Sequence, residues 1–148
     1  MDTTPPFTVA IPSRYASTRL PGKPLQLIGG KPMIVHVAEA ALRAGAMDVV
    51  IATDDVRIAD AVRMDAVTVC MTSAEHRSGS DRLAECAVTL AWPDSRIVVN
   101  LQGDEPLMPP ACLDQVAALL DQRLDCDVAS LYWPITEAVE VLNPNAVK

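Results

Sequence analysis

Aromatic residues are scarce in this sequence, which has one Phe, two Trp and two Tyr among 148 residues. The core therefore has to be built from aliphatic side chains, and hydrophobic residues as a whole make up 50% of the chain. This fraction, with 21% charged residues, is ordinary for a folded globular domain. A chain of this length has room for one domain, which buries roughly 70% of its unfolded surface.

An excess of basic residues is also missing, because the formal net charge is −7. A duplex-binding surface neutralises several phosphates with Lys or Arg, so we expect no nucleic-acid partner. The sequence has no run of about 18 apolar residues, and Met1–Pro6 lacks the basic start and apolar stretch of a signal peptide. We therefore expect a cytoplasmic protein with no membrane partner.

Paired metal-ligand or disulfide motifs are absent, since no two cysteines form a CxxC pair and none clusters with His36 or His76. The cysteines are Cys70, Cys86, Cys112 and Cys126. We predict that they are buried and reduced.

Acidic residues are missing from Thr3 to Ala38, although the chain has 19 of them. The basic residues of this stretch are Arg14, Arg19, Lys23 and Lys31. A loop with turn-forming Gly and Pro, exposed N–H groups and converging cations is typical of phosphate binding. The alternative is a solvated basic loop. Lys23 is followed by Pro24, so the loop matches neither a P-loop nor a GxGxxG dinucleotide site.

Apolar runs alternate with helical segments along the chain. Predicted strands cover Phe7–Ile11, Val49–Ala52, Val67–Met71, Ile97–Leu101 and Asp127–Tyr132. Predicted helices run from near Pro32 to about Gly45, from the capping residues Thr53–Asp55 to about Met64, from Ser78 or Ser80 to about Ala91, and from about Pro110 to Gln122. Apolar strands separated by helices predict a doubly wound, mostly parallel α/β sheet with helices on both faces. Ala146–Lys148 is typical of the start of another strand.

Ligands collect outside the carboxyl ends of parallel strands, where three polar segments of this chain fall. They are the basic loop, Thr72–Arg82 and Gln102–Pro106. Asp104, opposite a phosphate loop, suits Mg²⁺, which takes one or two carboxylates plus phosphate oxygens; the alternative for Gly103–Asp104 is an ordinary turn. Glu105 is a weaker candidate ligand, and Gln102 is suited to hydrogen-bond a polar substrate.

The segment Thr72–Arg82 contains Ser78, Gly79 and Ser80, and two interpretations stay open: recognition of a base or ribose, or capping of the next helix.

We interpret His76 as a surface residue and His36 as structural. Asp54 and Asp55 are explained by a helix start. A hydrolase nucleophile is not indicated, because no His and Asp residues stand near Ser13, Ser17 and Thr18 in the sequence to form a catalytic triad with their hydroxyls.

Six stretches together carry a resemblance to a known family. They read IPSRYASTRLPGKPL, GGKPMIVHV, ATDD, CMTSAEHRSGSDRLAE, VVNLQGDEPL and NPNAVK. The sequence resembles 3-deoxy-manno-octulosonate cytidylyltransferases, also called CMP-Kdo synthetases, from Phe7 to Lys148. The implied fold is like that of nucleotide-diphospho-sugar transferases. The resemblance implies that CTP and Kdo are joined to CMP-Kdo and pyrophosphate for lipopolysaccharide synthesis, by a cytoplasmic, Mg²⁺-dependent homodimer.

Residue roles follow from the same resemblance. Arg14, Arg19 and Lys23 match the triphosphate-binding residues, Asp104 matches the metal ligand and Gln102 a substrate contact. Nucleotide contacts are expected at Ser13, Thr72, Ser78 and Gly79, with the region of Ser78 near the cytosine. One departure is Ser73, where relatives often carry Arg.

Family members continue well past the position of Lys148, with the second metal-binding Asp, most of the Kdo pocket and much of the dimer interface. Residues 1–148 are therefore expected to be the nucleotide-binding N-terminal portion of a longer enzyme. Two alternatives stay open. One is a related nucleotidyltransferase acting on sialic acid or a sugar phosphate, and the other is a nucleotide-binding module without turnover.

Overall fold

The computed structural model describes residues 5–16 and 20–144. Its elements are β1 (Phe7–Ser13), a one-turn 3-10 helix (Lys23–Leu25), β2 (Leu27–Ile28), β3 (Lys31–Pro32), α1 (Met33–Leu42), β4 (Asp48–Thr53), α2 (Val56–Ala61), β5 (Val67–Met71), α3 (Gly79–Thr89), β6 (Ile97–Asn100), α4 (Pro110–Gln122) and α5 (Ala138–Leu142). The first four predicted strands and the four predicted helices are all present. Among the described helices, none is long and apolar enough to cross a membrane.

The central sheet has four parallel strands in the order β5-β4-β1-β6. From β1 the chain builds outward through β4 to β5, and then returns to the other side of β1 to form β6. The winding direction therefore reverses between β1 and β6. Loops that leave the carboxyl ends of these two strands diverge, which opens a crevice where ligands bind in open α/β sheets.

Both faces of the sheet are covered, as the apolar strands predict. Phe7, Val9 and Ile11 of β1 pack in one cluster with buried residues of α1, α2 and α4. Ala10 packs on the opposite face with Val50, and there α3 supplies the cover. All seven residues of β1 are buried, so this strand is the centre of the fold.

A small antiparallel hairpin, β2 and β3, was not expected from the apolar pattern. Gly29 and Gly30 form its turn with φ values of 58° and 81°, and a two-residue turn of this kind favours glycine at both positions. Nε2 of His36 in α1 donates to the carbonyl oxygen of Ile28 at 2.8 Å. This contact agrees with the structural role predicted for His36.

The predicted strand at Asp127–Tyr132 is wrong, because this segment has no strand partner in the described structure. Val128 is 81% exposed and Tyr132 is 89% exposed, so the apolar pattern does not mark burial here. The short helix α5 that follows was not predicted. The predicted strand start at Ala146–Lys148 lies outside the described residues.

The cysteines are free, as predicted, but only two of them are buried. Cys70 of β5 and Cys86 of α3 are buried in one cluster, whereas Cys112 is half-buried and Cys126 is exposed, which corrects the expectation of four buried thiols. Burial raises the pKa of the Cys86 thiol to about 12, and contact with Cys70 adds to the rise. Cys86 therefore stays protonated at neutral pH.

We expect one fast-reacting thiol when the folded protein is treated with a thiol reagent such as DTNB at pH 8. Only a thiolate that solvent reaches reacts quickly, and Cys126 is the exposed cysteine. Cys126→Ser should remove the fast phase, whereas Cys86→Ser should leave it unchanged. A fast phase that persists in Cys126→Ser would contradict the described burial.

Candidate functional site

The crevice between the ends of β1 and β6 holds a cavity of about 490 Å³. Its walls come from the loop after β1, the segment before α3 and the loop after β6. The lining residues are Pro12, Ser13, Arg14, Leu20, Lys23, Pro24, Met33, His76, Arg77, Ser78, Gly79, Arg82, Gln102, Gly103 and Asp104. All three polar segments singled out in the sequence therefore meet at one place.

Backbone hydrogen bonds shape the basic loop after β1. The N–H of Gly22 donates to the carbonyl oxygen of Tyr15 at 2.9 Å, and Gly22 has a φ of 70° that favours glycine. A Cβ on Gly22 would also come within 3.1 Å of the Tyr15 ring. Gly22 directly precedes the 3-10 turn that carries Lys23. Ser17, Thr18 and Arg19 lie outside the described residues, so the prediction for Arg19 stays a prediction.

Lys23 and Asp104 form an ion pair across the cavity, with Nζ of Lys23 2.6 Å from Oδ2 of Asp104. Their side chains are 42% and 50% exposed, so both remain accessible to a ligand. Arg14 lines the same cavity. Arg14 and Lys23 of the first loop and the carboxylate of the third thus share one crevice, as the phosphate-site prediction requires.

Gly103 allows the loop after β6 to approach β1 closely. A Cβ at this position would lie 3.0 Å from the carbonyl oxygen of Pro12 and 3.3 Å from Oγ of Ser13. That Oγ is buried and makes no hydrogen bond within the described part of the chain. Ser13 therefore offers an unused polar atom beside Asp104.

Ser78 caps α3, because its side-chain oxygen accepts a hydrogen bond from the N–H of Asp81 at 3.1 Å. Of the two interpretations of this segment, helix capping is thus observed. Ser78 and Gly79 also line the cavity, so the second interpretation, recognition of a base or ribose, stays open. Thr72 does not line the cavity; its Oγ1 accepts a hydrogen bond at 2.5 Å from Arg82, which does.

Glu85 of α3 fixes the segment that leads into the helix. Its Oε2 accepts hydrogen bonds from Nε2 of His76 and from the N–H of Ser73, the latter at 2.9 Å. The bond from His76 lowers the pKa of Glu85, and the bond from Ser73 adds to the effect. His76 is therefore a cavity-lining residue held by a carboxylate, which corrects its interpretation as a surface residue.

Arg82 was missed as a site residue in the sequence. It lines the cavity but its side chain is 3% exposed, and Nη2 lies 3.6 Å from Oδ2 of Asp54. The sequence carries one signal for this burial, because Arg82 stands four residues before the buried Cys86 on the same helix face. Asp54 is therefore more than a helix start; the cap of α2 is Asp55.

Gln102 lines the cavity as well, and its Nε2 donates to Oδ1 of Asn100 at 3.0 Å. Among the lining residues that the structure describes, Asp104 is the single carboxylate, opposed by Arg14, Lys23, Arg77 and Arg82. The cavity is thus electropositive within an acidic protein, which favours an anionic ligand.

The described residues contain no group of three or more His, Cys, Asp or Glu side chains that could hold a metal ion by themselves. Asp104 offers one accessible carboxylate. This donor set fits Mg²⁺ bound chiefly through phosphate oxygens and water, and it does not fit an ion held by protein ligands alone.

Known proteins are similar to this chain along nearly all of its length. A sequence profile described as "Cytidylyltransferase" matches residues 8–148. A 3-deoxy-manno-octulosonate cytidylyltransferase of Thioalkalivibrio sulfidiphilus is 58% identical over 142 residues, which cover 96% of this chain and 57% of the relative. One of Xanthomonas campestris is 55% identical over 148 residues, covering 99% of this chain and 52% of the relative. The chain thus spans about half the length of these curated relatives.

Solved structures agree in fold. A CMP:2-keto-3-deoxy-manno-octonic acid synthetase complexed with CTP matches with a TM-score of 0.72 and 42% identity, over 80% of this chain and 48% of the other. A cytidylyltransferase of Leptospira borgpetersenii matches with a TM-score of 0.68 and 26% identity, over 80% and 50%. The match to the profile, together with the shared parallel sheet, shows that this chain belongs to the cytidylyltransferase family.

Proposed function

We propose that this chain is the nucleotide-binding portion of an enzyme that joins CTP and Kdo to give CMP-Kdo and pyrophosphate, and thereby supplies activated sugar for lipopolysaccharide. Relatives that are 55–58% identical carry the name of this activity. A solved neighbour that is 42% identical is described as complexed with CTP.

One observation of the structure supports the proposal most directly. Lys23 and Asp104 are 81 residues apart in sequence, but Nζ of Lys23 lies 2.6 Å from Oδ2 of Asp104. Arg14 lines the same cavity. An exposed carboxylate among cations at the reversal point of a parallel sheet is the arrangement that a metal–triphosphate requires. A solvated basic loop would not face a carboxylate across a crevice.

The reaction is an in-line attack of a sugar hydroxyl on the α-phosphorus of CTP, with pyrophosphate as the leaving group. Arg14, Arg19 and Lys23 would bind the triphosphate and offset the charge that grows on pyrophosphate. Asp104 would hold Mg²⁺. When bound, Mg²⁺ would neutralise phosphate charge, which lowers the cost of bringing an anionic sugar to an anionic nucleotide. The protein's contribution is chiefly positioning and charge stabilisation.

The remaining predicted contacts surround the nucleotide and the acceptor. Ser13 has a buried hydroxyl without a partner in the described residues, which suits it to a phosphate or ribose oxygen. Ser78 and Gly79 would contact the nucleotide from the start of α3, and Thr72 would act through its hydrogen bond to Arg82. Gln102 would hydrogen-bond a substrate through Oε1 or the second N–H of Nε2, which its bond to Asn100 does not use.

The resemblance to CMP-Kdo synthetases supports further proposals about the complete protein. We infer that it works in the cytoplasm as a homodimer, on small-molecule substrates, with neither nucleic acid nor membrane as a partner. Sedimentation of the complete protein would test the dimer.

Calorimetric titration with CTP, UTP and GTP in the presence of Mg²⁺ tests the proposed function. We expect CTP to bind tightest, and pyrophosphate release on addition of Kdo in a coupled assay. Sialic acid and a sugar phosphate serve as competing acceptors. Binding of CTP without pyrophosphate release would favour a nucleotide-binding module instead. Failure of every nucleotide to bind would reject the proposal.

Gly103→Ala should weaken Mg²⁺–CTP binding at least tenfold, because the new Cβ has to push the loop that carries Asp104 away from Pro12 and Ser13. Overpacking of this kind costs about 1–3 kcal/mol of stability. Gly29→Ala is the control: its φ of 58° makes it strained, yet a Cβ there meets nothing within 4 Å. Unfolding in urea and CTP titration of both variants should show lost stability in each and lost binding only in Gly103→Ala.

A further inference from the structure

Arg77 carries a guanidinium group to which neither the sequence resemblance nor the proposed mechanism assigns a role. It lines the cavity and is exposed. Within residues 5–16 and 20–144 it takes part in no hydrogen bond or ion pair. The planar, permanently charged guanidinium group, with its five N–H donors, thus faces the cavity without an acceptor among the described residues.

The residues around Arg77 are already engaged with the protein. His76 and the N–H of Ser73 bind Glu85, and the hydroxyl of Ser78 caps α3. These bonds hold the backbone on both sides of Arg77. Among the described residues of this segment that line the cavity, Arg77 is the one whose side chain makes no hydrogen bond or ion pair.

Ser73, in the same segment as Arg77, is engaged with the protein. Its Oγ accepts a hydrogen bond from the N–H of Glu75 at 3.2 Å, and the residue is not part of the cavity wall. The guanidinium that this segment presents to the cavity, apart from the buried Arg82, comes four residues later, at Arg77.

Ion pairing leaves two of the described cavity-lining arginines without a carboxylate partner. Lys23 is paired with Asp104 and Arg82 with Asp54, which leaves Arg14 and Arg77 unpaired among the described lining residues. Arg14 follows β1 and belongs to the wall proposed for the triphosphate. Arg77 precedes α3 on a different wall. If the phosphates of a nucleotide lie by Arg14, Arg77 on the other wall is the unpaired cation that is left for the base.

We propose that Arg77 selects cytosine over uracil, an inference that rests on the proposed function of the cavity. Cytosine presents O2 and N3 as adjacent in-plane acceptors, which match two N–H donors of one guanidinium. Uracil has an N–H at position 3, which would face a donor of Arg77 and leave both unpaired. Unpaired polar groups in a site of this kind give strong discrimination.

Calorimetric titration of the chain with CTP and with UTP, each with Mg²⁺, tests this assignment. In Arg77→Gln and Arg77→Lys we expect the preference for CTP over UTP to fall by roughly 10-fold to 100-fold, the range of one lost bidentate contact to a base. The affinity for UTP should change little. Arg77→Lys keeps the positive charge but loses the planar pair of N–H donors. Arg63→Gln is the matched control, an exposed arginine paired with Asp60 and absent from the cavity wall.

The outcomes separate this inference from the proposed function. Loss of preference in both Arg77 variants, with Arg63→Gln unchanged, supports base selection. Equal weakening of CTP and UTP in Arg77→Gln, with recovery in Arg77→Lys, overturns it in favour of a phosphate contact. Unchanged affinities overturn it as well. If the unmodified chain binds no nucleotide, the proposed function falls together with the inference.

Discussion

Lys23→Ala should lower the rate of pyrophosphate release from CTP and Kdo by roughly 10²–10³, the loss seen when one charge-stabilising donor is removed. Lys23 lies in the cavity and its ammonium neutralises Asp104 at 2.6 Å. Without it, the leaving pyrophosphate loses a cation and the carboxylate of Asp104 faces the phosphates with less compensation. A coupled pyrophosphate assay, with CTP affinity measured separately, would divide the loss between binding and turnover.

Lys31→Ala is an unusually close control for this variant. Lys31 is also paired with a carboxylate at 2.6 Å, that of Glu39, and both lysine side chains are 42% exposed. The two lysines differ in that Lys31 does not line the cavity. We expect Lys31→Ala to keep the unmodified rate. Near-normal turnover in Lys23→Ala, or equal losses in both, would remove Lys23 from the proposed mechanism.

The sheet could be predicted because its strands are apolar on both faces. Val49–Ala52 and Val67–Met71 are short apolar runs typical of parallel strands, and the structure places them in β4, which is buried from Val49 to Thr53, and in the edge strand β5, of which Cys70 alone is buried. The same reasoning failed at Asp127–Tyr132. An apolar run shows that cover would be favourable, but it does not show that a neighbouring strand is present to pair with it.

The placement of the site followed from one topological rule, whereas its contacts did not. Loops at the carboxyl ends of parallel strands must lie along one edge, so the meeting of three polar segments was predictable. The pairing of Lys23 with Asp104 depends on β6 lying next to β1. No local sequence pattern predicts this order of strands. The positive φ of Gly22 and the close approach at Gly103 are likewise set by tertiary contacts.

Arg82 shows a second limit of sequence reasoning. An arginine side chain is normally solvated. The burial of Arg82, at 3% exposure, could be predicted only by knowing that Asp54 and Thr72 lie at the ends of β4 and β5, where they contact it. These partners directly follow two different strands. Arg82 therefore ties α3 to the sheet edge beside the cavity, and its removal should affect the fold itself.

Arg82→Met should lower the free energy of unfolding by about 3–5 kcal/mol, the cost of leaving a buried charge without its partner. Asp54 is 12% exposed, and its Oδ1 already has no hydrogen-bond partner in the described residues. Without Arg82 its other oxygen loses the nearby cation too. Unfolding in urea measures the loss. Arg63→Met, which breaks the exposed pair with Asp60, should cost about 1 kcal/mol or less.

A double variant decides whether the loss comes from the stranded charge or from packing. Adding Asp54→Asn to Arg82→Met removes the uncompensated carboxylate, so the double variant should be more stable than Arg82→Met alone. If the two losses simply add, then Arg82 contributes through its methylene stem and its bond to Thr72, and the ion pair with Asp54 at 3.6 Å contributes little. Recovery in the double variant would show instead that electrostatic pairing holds α3 against the ends of β4 and β5, and with it the wall of the cavity that carries Ser78 and Gly79.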